Sequence, residues 1–590
     1  MSTPPKKHNC PILDLFKGCG CGSSSKPEQP SCGCGDHSHD RDHAHEAGHS
    51  HDHGHAHGHH HDHEHPHVHP HGGHDHGASG GQEHSHAHGH DHAHNHEHDQ
   101  EHGHSHEAAA APAADGEDKA EDSNADDGQL EVSAEQEQAL RADLEAFENE
   151  PAEFMDRLPL KRTEQQGATP EALPLFSPEA LESKAYVGAR DELRTLLDSD
   201  EEERATRAAI ASNDQARNLV DSYVHTSLQS MQASGLMRAR LSVTPWSDDY
   251  WGLYLGCLGK RYADPGFPHS QDWQENYSYV QSRPASGILS SGSAAAVNQL
   301  SPSEKYDILI GDSSFSLTRQ MWADGERYQQ QYGHVETWMG ICHGWAPASY
   351  MAPRPAKAVT LTAADGRTQL TFYPSDIKAL ASLLWAKASP SVRFIGGRCN
   401  VPNPERDEIG RVIAQDCFDT NPGTWHLAVV NQLGASRRSM VMDVTFDYQV
   451  WNQPVVGYRY YHFNPKSMTY QSAIAAAAVP RASFTNDKFA RYRSSQTASV
   501  IGIEMYVSYT VETAPSHSMT DSPGSDAVQE VRYLYDLELD ISGKIIGGEW
   551  RSKAHPDFLW TPPKGSQAQG GGSGVPQADV VARLINLANS

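Results

Sequence analysis

Trp338-Met339-Gly340-Ile341-Cys342-His343-Gly344-Trp345 sets one cysteine among bulky apolar residues, between glycines that let neighbouring backbone come close. A thiol in this setting is either a small buried hydrophobe or a nucleophile. Two runs downstream supply partners for the second role. Thr424-Trp425-His426-Leu427-Ala428-Val429-Val430 carries a histidine, and Val441-Met442-Asp443-Val444-Thr445 an aspartate seventeen residues later. In the order Cys342, His426, Asp443, the imidazole would accept the thiol proton and the carboxylate would orient the imidazole. The backbone N–H of Cys342 and an indole N–H of Trp338 or Trp345 are candidate donors to an oxyanion or lining groups for a substrate. His426 also reads as a core histidine and Asp443 as a strand-end residue, while Asp447 and Asn452 are rival orienters.

The apolar runs around His426 and Asp443 flank Gly434-Ala435-Ser436, which predicts two antiparallel strands joined by a turn. Pro347 would fall inside a helix starting at the thiol, so that helix is expected to be short, distorted or to begin nearer Trp345. Helical spacing recurs over Pro302–Leu309, Phe315–Trp322 and Asp376–Ala386. Beyond Asp443, strands are expected over Val450–His462, Val500–Val511 and Val531–Ile541, and Ser542-Gly543 turns the last one back into Lys544–Trp550.

Several longer motifs occur in order: Leu300-Ser301-Pro302-Ser303-Glu304-Lys305-Tyr306-Asp307, Gly340 to Ala348, Asp376-Ile377-Lys378-Ala379-Leu380, and Asp419-Thr420-Asn421-Pro422-Gly423-Thr424-Trp425-His426-Leu427. Together they resemble the elicitor-type transglutaminases of oomycetes and marine bacteria. The similarity runs from about Pro245 to Trp560. Within it, Val450-Trp451-Asn452-Gln453-Pro454-Val455-Val456-Gly457-Tyr458 resembles the surface segment that plants recognise in that family, with Trp451, Asn452, Gln453 and Pro454 at its centre. The resemblance implies an α+β fold with a papain/transglutaminase-like catalytic core, an antiparallel sheet packed against helices. It also implies a cysteine thioester enzyme that joins protein glutamine to lysine or polyamine amines, with Asp443 as third member of the triad. A disulfide between Cys399 and Cys417 is implied too; closing that loop would contribute about 3 kcal/mol. Family likeness points to a secreted or cell-surface protein, although the first residues form no recognisable export signal. Two other classes fit the same residues: a cysteine amidase or protease, and a metal-sequestering protein with an inactive enzyme-like body.

Six segments are expected. Residues 1–35 form a Cys/Gly-rich lead in which Cys19, Cys21, Cys32 and Cys34 make two C-x-C pairs, soft-metal ligands by type. Residues 36–107 are dominated by His-x-His alternation, and the first 106 residues hold 31 of the 39 histidines. Such a tract buries no core and reads as a disordered tail. Imidazoles at this density, among them His51, His53, His55, His57, His59, His60, His61, His63 and His65, chelate zinc, nickel or copper through exchangeable sets. Residues 108–132 are an acidic linker, and 133–240 a helical subdomain that starts at the capping box Ser133-Ala134-Glu135-Gln136. Leu219, Val220, Tyr223, Val224 and Leu228 share one helical face there, and Ser177-Pro178 looks like another helix start. This subdomain reads as structural, inhibitory or a propeptide over the thiol. The catalytic domain spans 241–562, and 563–590 holds a Gly/Ser linker and a short amphipathic helix without an evident partner.

Composition bounds the partners. A formal charge of −30 with histidine neutral disfavours nucleic-acid binding, which needs a cationic surface. No run is apolar enough to span a bilayer. The thioester chemistry requires no cofactor; calcium is a candidate ligand of the carboxylates near Asp248, Asp249 and Asp264, whose irregular spacing favours capping roles instead. The tail generates the first prediction. Full-length protein titrated with nickel or zinc at pH 7.5 binds several ions per chain, and equilibrium dialysis at pH 5 finds most of them released as the imidazoles protonate.

Overall fold

The computed structural model describes residues 131–163, 171–172, 214–388, 390–397, 404–414, 417–445, 449–570 and 574–590. The Cys/His-rich lead, most of the acidic linker, Ser177-Pro178, the expected helices before 214, Cys399 and Asp447 lie outside the described residues. Among those described, no helix is long and apolar enough to cross a membrane.

Three long strands form the centre of one antiparallel sheet. These strands alternate residue by residue between two differently covered faces. We label the sheet β1 (Leu160–Thr163), β2 (Arg238–Arg240), β3 (Arg393–Gly396), β4 (Val441–Asp443), β5 (Asn452–Asn464), β6 (Ser499–Val511), β7 (Ala527–Leu539), β8 (Ile545–Trp550) and β9 (Phe558–Thr561). The pairing path is β1-β7-β6-β5-β4-β9-β3, with β8 beside β7 and β2 beside β5. The expected strands beyond Asp443 are therefore all present, and the 542–543 turn returns β7 into β8.

One sheet face is apolar. Tyr458 and Tyr460 of β5, Ile501, Ile503, Met505 and Val507 of β6, and Tyr533, Tyr535 and Leu537 of β7 belong to a single buried cluster. The opposite face carries Arg459, Glu504, Glu530 and Arg532, paired with one another across strands. Helix α1 (Ala134–Asn149), capped by Ser133 and Gln136 as the sequence predicts, joins that second face. Its Leu140, Leu144 and Phe147 meet Phe463, Phe489 and Leu534, and its Asp143 accepts from Arg532 at 2.6 Å. Helix α1 is thus a structural cover on this second face of the sheet.

The described residues of 133–240 are helical only in part. After α1 come a short α2 (Pro151–Met155), β1, and from residue 214 a largely extended path to α3 (Leu228–Ala233) and β2. The side chains of Asn431 and Gln432 explain the missing helix. Asn431 Oδ1 accepts from the N–H groups of Val224 and His225, Nδ2 donates back to His225 O, and Gln432 Oε1 takes the Asp221 N–H. Backbone groups satisfied in this way have no need of a helix.

A helical layer flanks the sheet: α4 (Pro302–Ile310), α5 (Ser316–Tyr332), α6 (Cys342–Met351), α7 (Pro374–Ala388), α8 (Pro422–Val429) and α9 (Ala578–Ala588). The ordered sequence motifs tie these helices together. Ser301 and Glu304 form a capping box on α4, and Glu304 takes two hydrogen bonds from Arg261. Lys305 pairs with Asp376 of α7 at 2.7 Å, both fully buried. Asp307 accepts from the backbone N–H groups of Leu317 and Thr318 at the start of α5. Breaking one partner of such a buried pair strands the other charge. The C-terminal helix α9 does have a partner: Val581 and Leu584 enter the core that contains α7, and Gln577 N donates to Tyr306 OH.

The predicted hairpin around His426 is instead a helix. Asn421 caps it through Gly423 N, Pro422 occupies its first turn, and a π-helical turn Val430–Ala435 continues it. Every residue of α8 is buried, so its apolar run has neither a helical nor a strand period to read. His426 points from α8 into the apolar face, where burial pushes its pKa down to about 3 and that of His462 to about 4. Below the ordinary value of 6.5 the unfolded chain binds protons that these rings refuse in the fold, so their contribution lowers stability as pH falls. The expected slope is about 1.4 kcal/mol per pH unit per ring between pH 6.5 and pH 4, and flat above 6.5. Urea midpoints at pH 7.5, 6.5 and 5.0 test this: His462→Asn should lose part of the acid-side decline seen in the parent protein.

Candidate active site

Cys342 is the first residue of α6, and that helix runs through Pro347 to Met351. The expected displacement of its start towards Trp345 does not occur. Two glycines make the placement possible. A Cβ on Gly344 would lie 2.2 Å from Ser382 O of α7, and one on Gly340 would lie 2.5 Å from Tyr250 O. The loop 245–254 grips the same helix from the other side: Ile341 N donates to Tyr250 O, Trp246 N to Ser349 O, and the Trp345 indole to Trp246 O.

The thiol that results is 5% exposed. It donates to Val450 O and accepts from Asn452 Nδ2, both at 3.6 Å. The orientation of Asn452 is fixed by chemistry, because its Oδ1 accepts at 2.7 Å from the Trp560 indole, a group that can only donate. Its amide N–H is therefore turned to the sulfur. Burial pushes the thiol up to about 11; the N–H groups of Asn452 oppose that, and the carboxylates of Glu512 and Asp443 add to it.

Asp443 pairs with Asn452 in the β4–β5 ladder. Its Oδ1 accepts from Thr445 Oγ1 at 2.6 Å, Thr445 N at 3.2 Å and Trp451 N at 3.0 Å. Glu512, just beyond β6, accepts from Gln453 Nε2 at 2.7 Å; burial pushes its carboxyl up to about 7, and Asp249 adds to that while Lys161 opposes it. Tyr250 and Trp451, both half-buried, pack with ring centres 5.2 Å apart.

The structure thus gathers Cys342 and Asp443 but not His426. The imidazole Nδ1 is 2.8 Å from Tyr535 OH, the ring packs against Tyr460, and no hydrogen bond links it to the thiol or to Asp443. It is a core histidine on α8. The two indoles are not oxyanion donors either: Trp338 gives its N–H to Glu336 and Trp345 to Trp246 O. Nor is the expected recognition segment on the surface. Asn452 and Gln453 are 3% and 2% exposed and Pro454 is buried, leaving only Trp451 half-exposed. Cys417 is buried and disulfide-bonded; Cys399, its expected partner, lies outside the described residues. Asp248 and Asp249 are committed to the Trp251 indole and Lys260, and Asp264 to Gly266 N and Tyr279. Among the described residues no three His, Cys, Asp or Glu side chains are gathered to hold a metal.

A family model described as transglutaminase elicitor matches residues 217–589, more than half of the chain. The chain belongs to the transglutaminase elicitor family. Among solved structures it is similar to the GP42 transglutaminase from Phytophthora sojae, at 21% identity and a TM-score of 0.44, over 62% of this chain and 94% of that one. No curated protein matches it. The elicitor-family match takes in α3 to α9, β2 to β9 and every residue around the thiol, and leaves α1 outside.

Sequence reasoning missed Trp560 and Glu512, and gave Asn452 the wrong role. Asn452 and Trp560 are 108 residues apart, and no local pattern signals such a pair. The thiol of this elicitor-family chain generates a prediction. With Cys257→Ser removing the other free buried thiol among the described residues, Cys342, followed by peptide mapping, should alkylate with iodoacetamide at pH 8 roughly 100-fold more slowly than a free cysteine. Its rate should climb through pH 10, and Asn452→Ala should slow it further.

Proposed function

We propose that the protein is a protein-glutamine γ-glutamyltransferase with Cys342 as nucleophile. The sulfur attacks the carboxamide carbon of a protein glutamine, and its proton passes to a neighbouring carboxylate. The C–N bond then breaks, ammonia leaves with that proton, and a thioester remains. A lysine side chain or polyamine attacks the thioester, the C–S bond breaks, and an isopeptide bond and free thiol result.

The observation that carries this reading is the Asn452 amide held on the Cys342 sulfur by Trp560, with Asp443 directly across the ladder. An N–H fixed beside the reacting sulfur is also beside the developing oxyanion, where one preorganised donor is worth about 10²–10³ in rate. The first-turn N–H of Cys342, which no helix satisfies internally, is a second donor. The carboxylate of Asp443, across the ladder from Asn452, replaces His426 as proton acceptor, since the imidazole is hydrogen-bonded to Tyr535 in the core.

The test is amine incorporation into a glutamine-containing protein, with cross-link, deamidation and cleavage separated by mass spectrometry. Cys342→Ala should abolish incorporation and Asn452→Ala should lower kcat about 100-fold. His426→Asn, in contrast, should keep kcat within about tenfold while lowering the melting temperature. Loss of activity in His426→Asn with unchanged stability would restore the imidazole to the mechanism; deamidation without cross-linking would make the enzyme an amidase.

A further inference from the structure

Cys342 is 5% exposed, and a glutamine side chain reaches its sulfur only if the peptide that carries it is held at the surface above. A strip of half-buried aromatic rings starts at the residues around that sulfur. Val450 O and Asn452 Nδ2 both contact the thiol, and Trp451 is the residue between them. Tyr250 approaches from the other side: its carbonyl accepts from Ile341 N at 2.7 Å, and a Cβ on Gly340 would stand 2.6 Å from its ring atom Cδ2. The Trp451 and Tyr250 rings meet with centres 5.2 Å apart. Gly252 carries the strip on to a third ring, because a Cβ there would stand 2.6 Å from Tyr254 Cε1 and 3.2 Å from Tyr250 OH. Glycine at 252 thus lets two tyrosines flank the same backbone, their hydroxyls 3.5 Å apart. All three rings are half-buried, whereas their neighbours Val450, Asn452, Gln453 and Trp251 are buried. The polar edges of the first two are engaged: the Trp451 indole donates to Gln449 Oε1 at 2.9 Å, and the Tyr250 hydroxyl to Thr337 O at 2.7 Å. What these two still offer a ligand is mainly ring carbon.

We propose that the strip formed by Trp451, Tyr250 and Tyr254 is the docking track for the glutamine-bearing peptide, and that it selects substrates with a large apolar or aromatic side chain close to the reactive glutamine. The inference rests on the acyl-transfer reading and names the substrate class within it. A half-buried ring gains by handing its remaining wet carbon surface to an apolar partner, and gains little from a small polar one. Spacing sets the reach. An extended peptide rises about 3.3 Å per residue, so rings 5.2 Å apart span about two residues, and the recognised side chain falls within about three positions of the glutamine. Aromatic rings also attract an ammonium. The donor peptide is the favoured occupant because the strip begins beside the sulfur that the glutamine reaches first, and because a peptide covers several rings at once where a single amine covers one.

The experiment measures ammonia release, which reports the acylation half alone, from three glutamine peptides that differ only at the positions two residues to either side of the glutamine: both Phe, both Leu or both Ser. The quantity read is the ratio of kcat/KM values within one preparation, which does not depend on how much of a variant is folded. Parent protein should prefer the Phe peptide over the Ser peptide by about tenfold or more, with Leu between. Tyr254→Ala should lower that ratio by about threefold or more, and Tyr254→Phe, which keeps the ring, should preserve it. Trp451→Leu reads the same ratio should Tyr254→Ala fail to fold. A parent ratio near one would overturn the proposal, as would a ratio unchanged in both Tyr254→Ala and Trp451→Leu. A rise in the KM of a five-carbon diamine with the peptide ratio intact would also overturn it, by giving the strip to the amine. Parent protein that releases no ammonia from any peptide would fail at the acyl-transfer reading instead. The track is then judged by calorimetric binding of the Phe and Ser peptides to Cys342→Ala with and without Tyr254→Ala: tighter binding of the Phe peptide that disappears in the double variant upholds it, and equal binding of the two peptides to Cys342→Ala overturns it.

Discussion

The close crossing of α6 over α7 is the constraint on which the site depends. Only glycine at 344 permits backbone of the thiol-bearing helix to approach the Ser382 carbonyl, and only glycine at 340 admits the Tyr250 carbonyl on the opposite side. Clamped between a helix and a loop, the first turn of α6 faces the paired strands β4 and β5 in the interior of the sheet. There Val450 O and the Asn452 amide meet the sulfur. The helix start, which elsewhere would be a frayed end, is made rigid by tertiary packing rather than by helical propensity, which Pro347 weakens.

Rigidity of this kind has an electrostatic consequence. A helix N-terminus favours a thiolate, yet the burial that fixes Cys342 disfavours any charge, and two carboxylates nearby oppose a negative one. Desolvation wins, so the resting group is a neutral thiol. In the acyl transfer proposed for this thiol, sulfur attack would be concerted with proton removal. A substrate carbonyl bound at the Asn452 amide would supply the electrophile and a share of the oxyanion stabilisation at once. A buried neutral thiol also resists oxidation, since reactivity follows thiolate character and exposure.

What the sequence made legible follows from the range of the forces involved. The alternating strands from Val450 to Trp550 were readable because their two faces meet different surroundings, and the capped helices at Ser133 and Ser301 because caps are local chemistry. The fold class was readable for the same reasons, aided by motifs in order. The His426 segment misled because α8 is buried on all sides, which erases periodicity, and because spacing alone placed an imidazole beside Asp443. The extended path at 219–227 misled because its backbone is satisfied by Asn431 and Gln432, more than two hundred residues away. Asn452 was in plain view, but its meaning depends on Trp560, and a buried donor-acceptor pair 108 residues apart leaves no trace in local pattern.

The start of β5 shows why the sheet needs its register as well as its composition. Asn452 and Gln453 are consecutive, so the pleat sends their side chains apart: one amide to the sulfur, the other to Glu512. A slip of one residue would exchange them and put a glutamine, one methylene longer, against the thiol. Two features prevent the slip. Asp443 accepts from the Trp451 backbone N–H, which pins the residue immediately before the strand, and the bulge between Ser508 and Tyr509 offsets β6 against β5 on the far side. The carboxylate at Asp443 thus acts on the Cys342 sulfur twice, through its charge and through the register that turns Asn452 towards it.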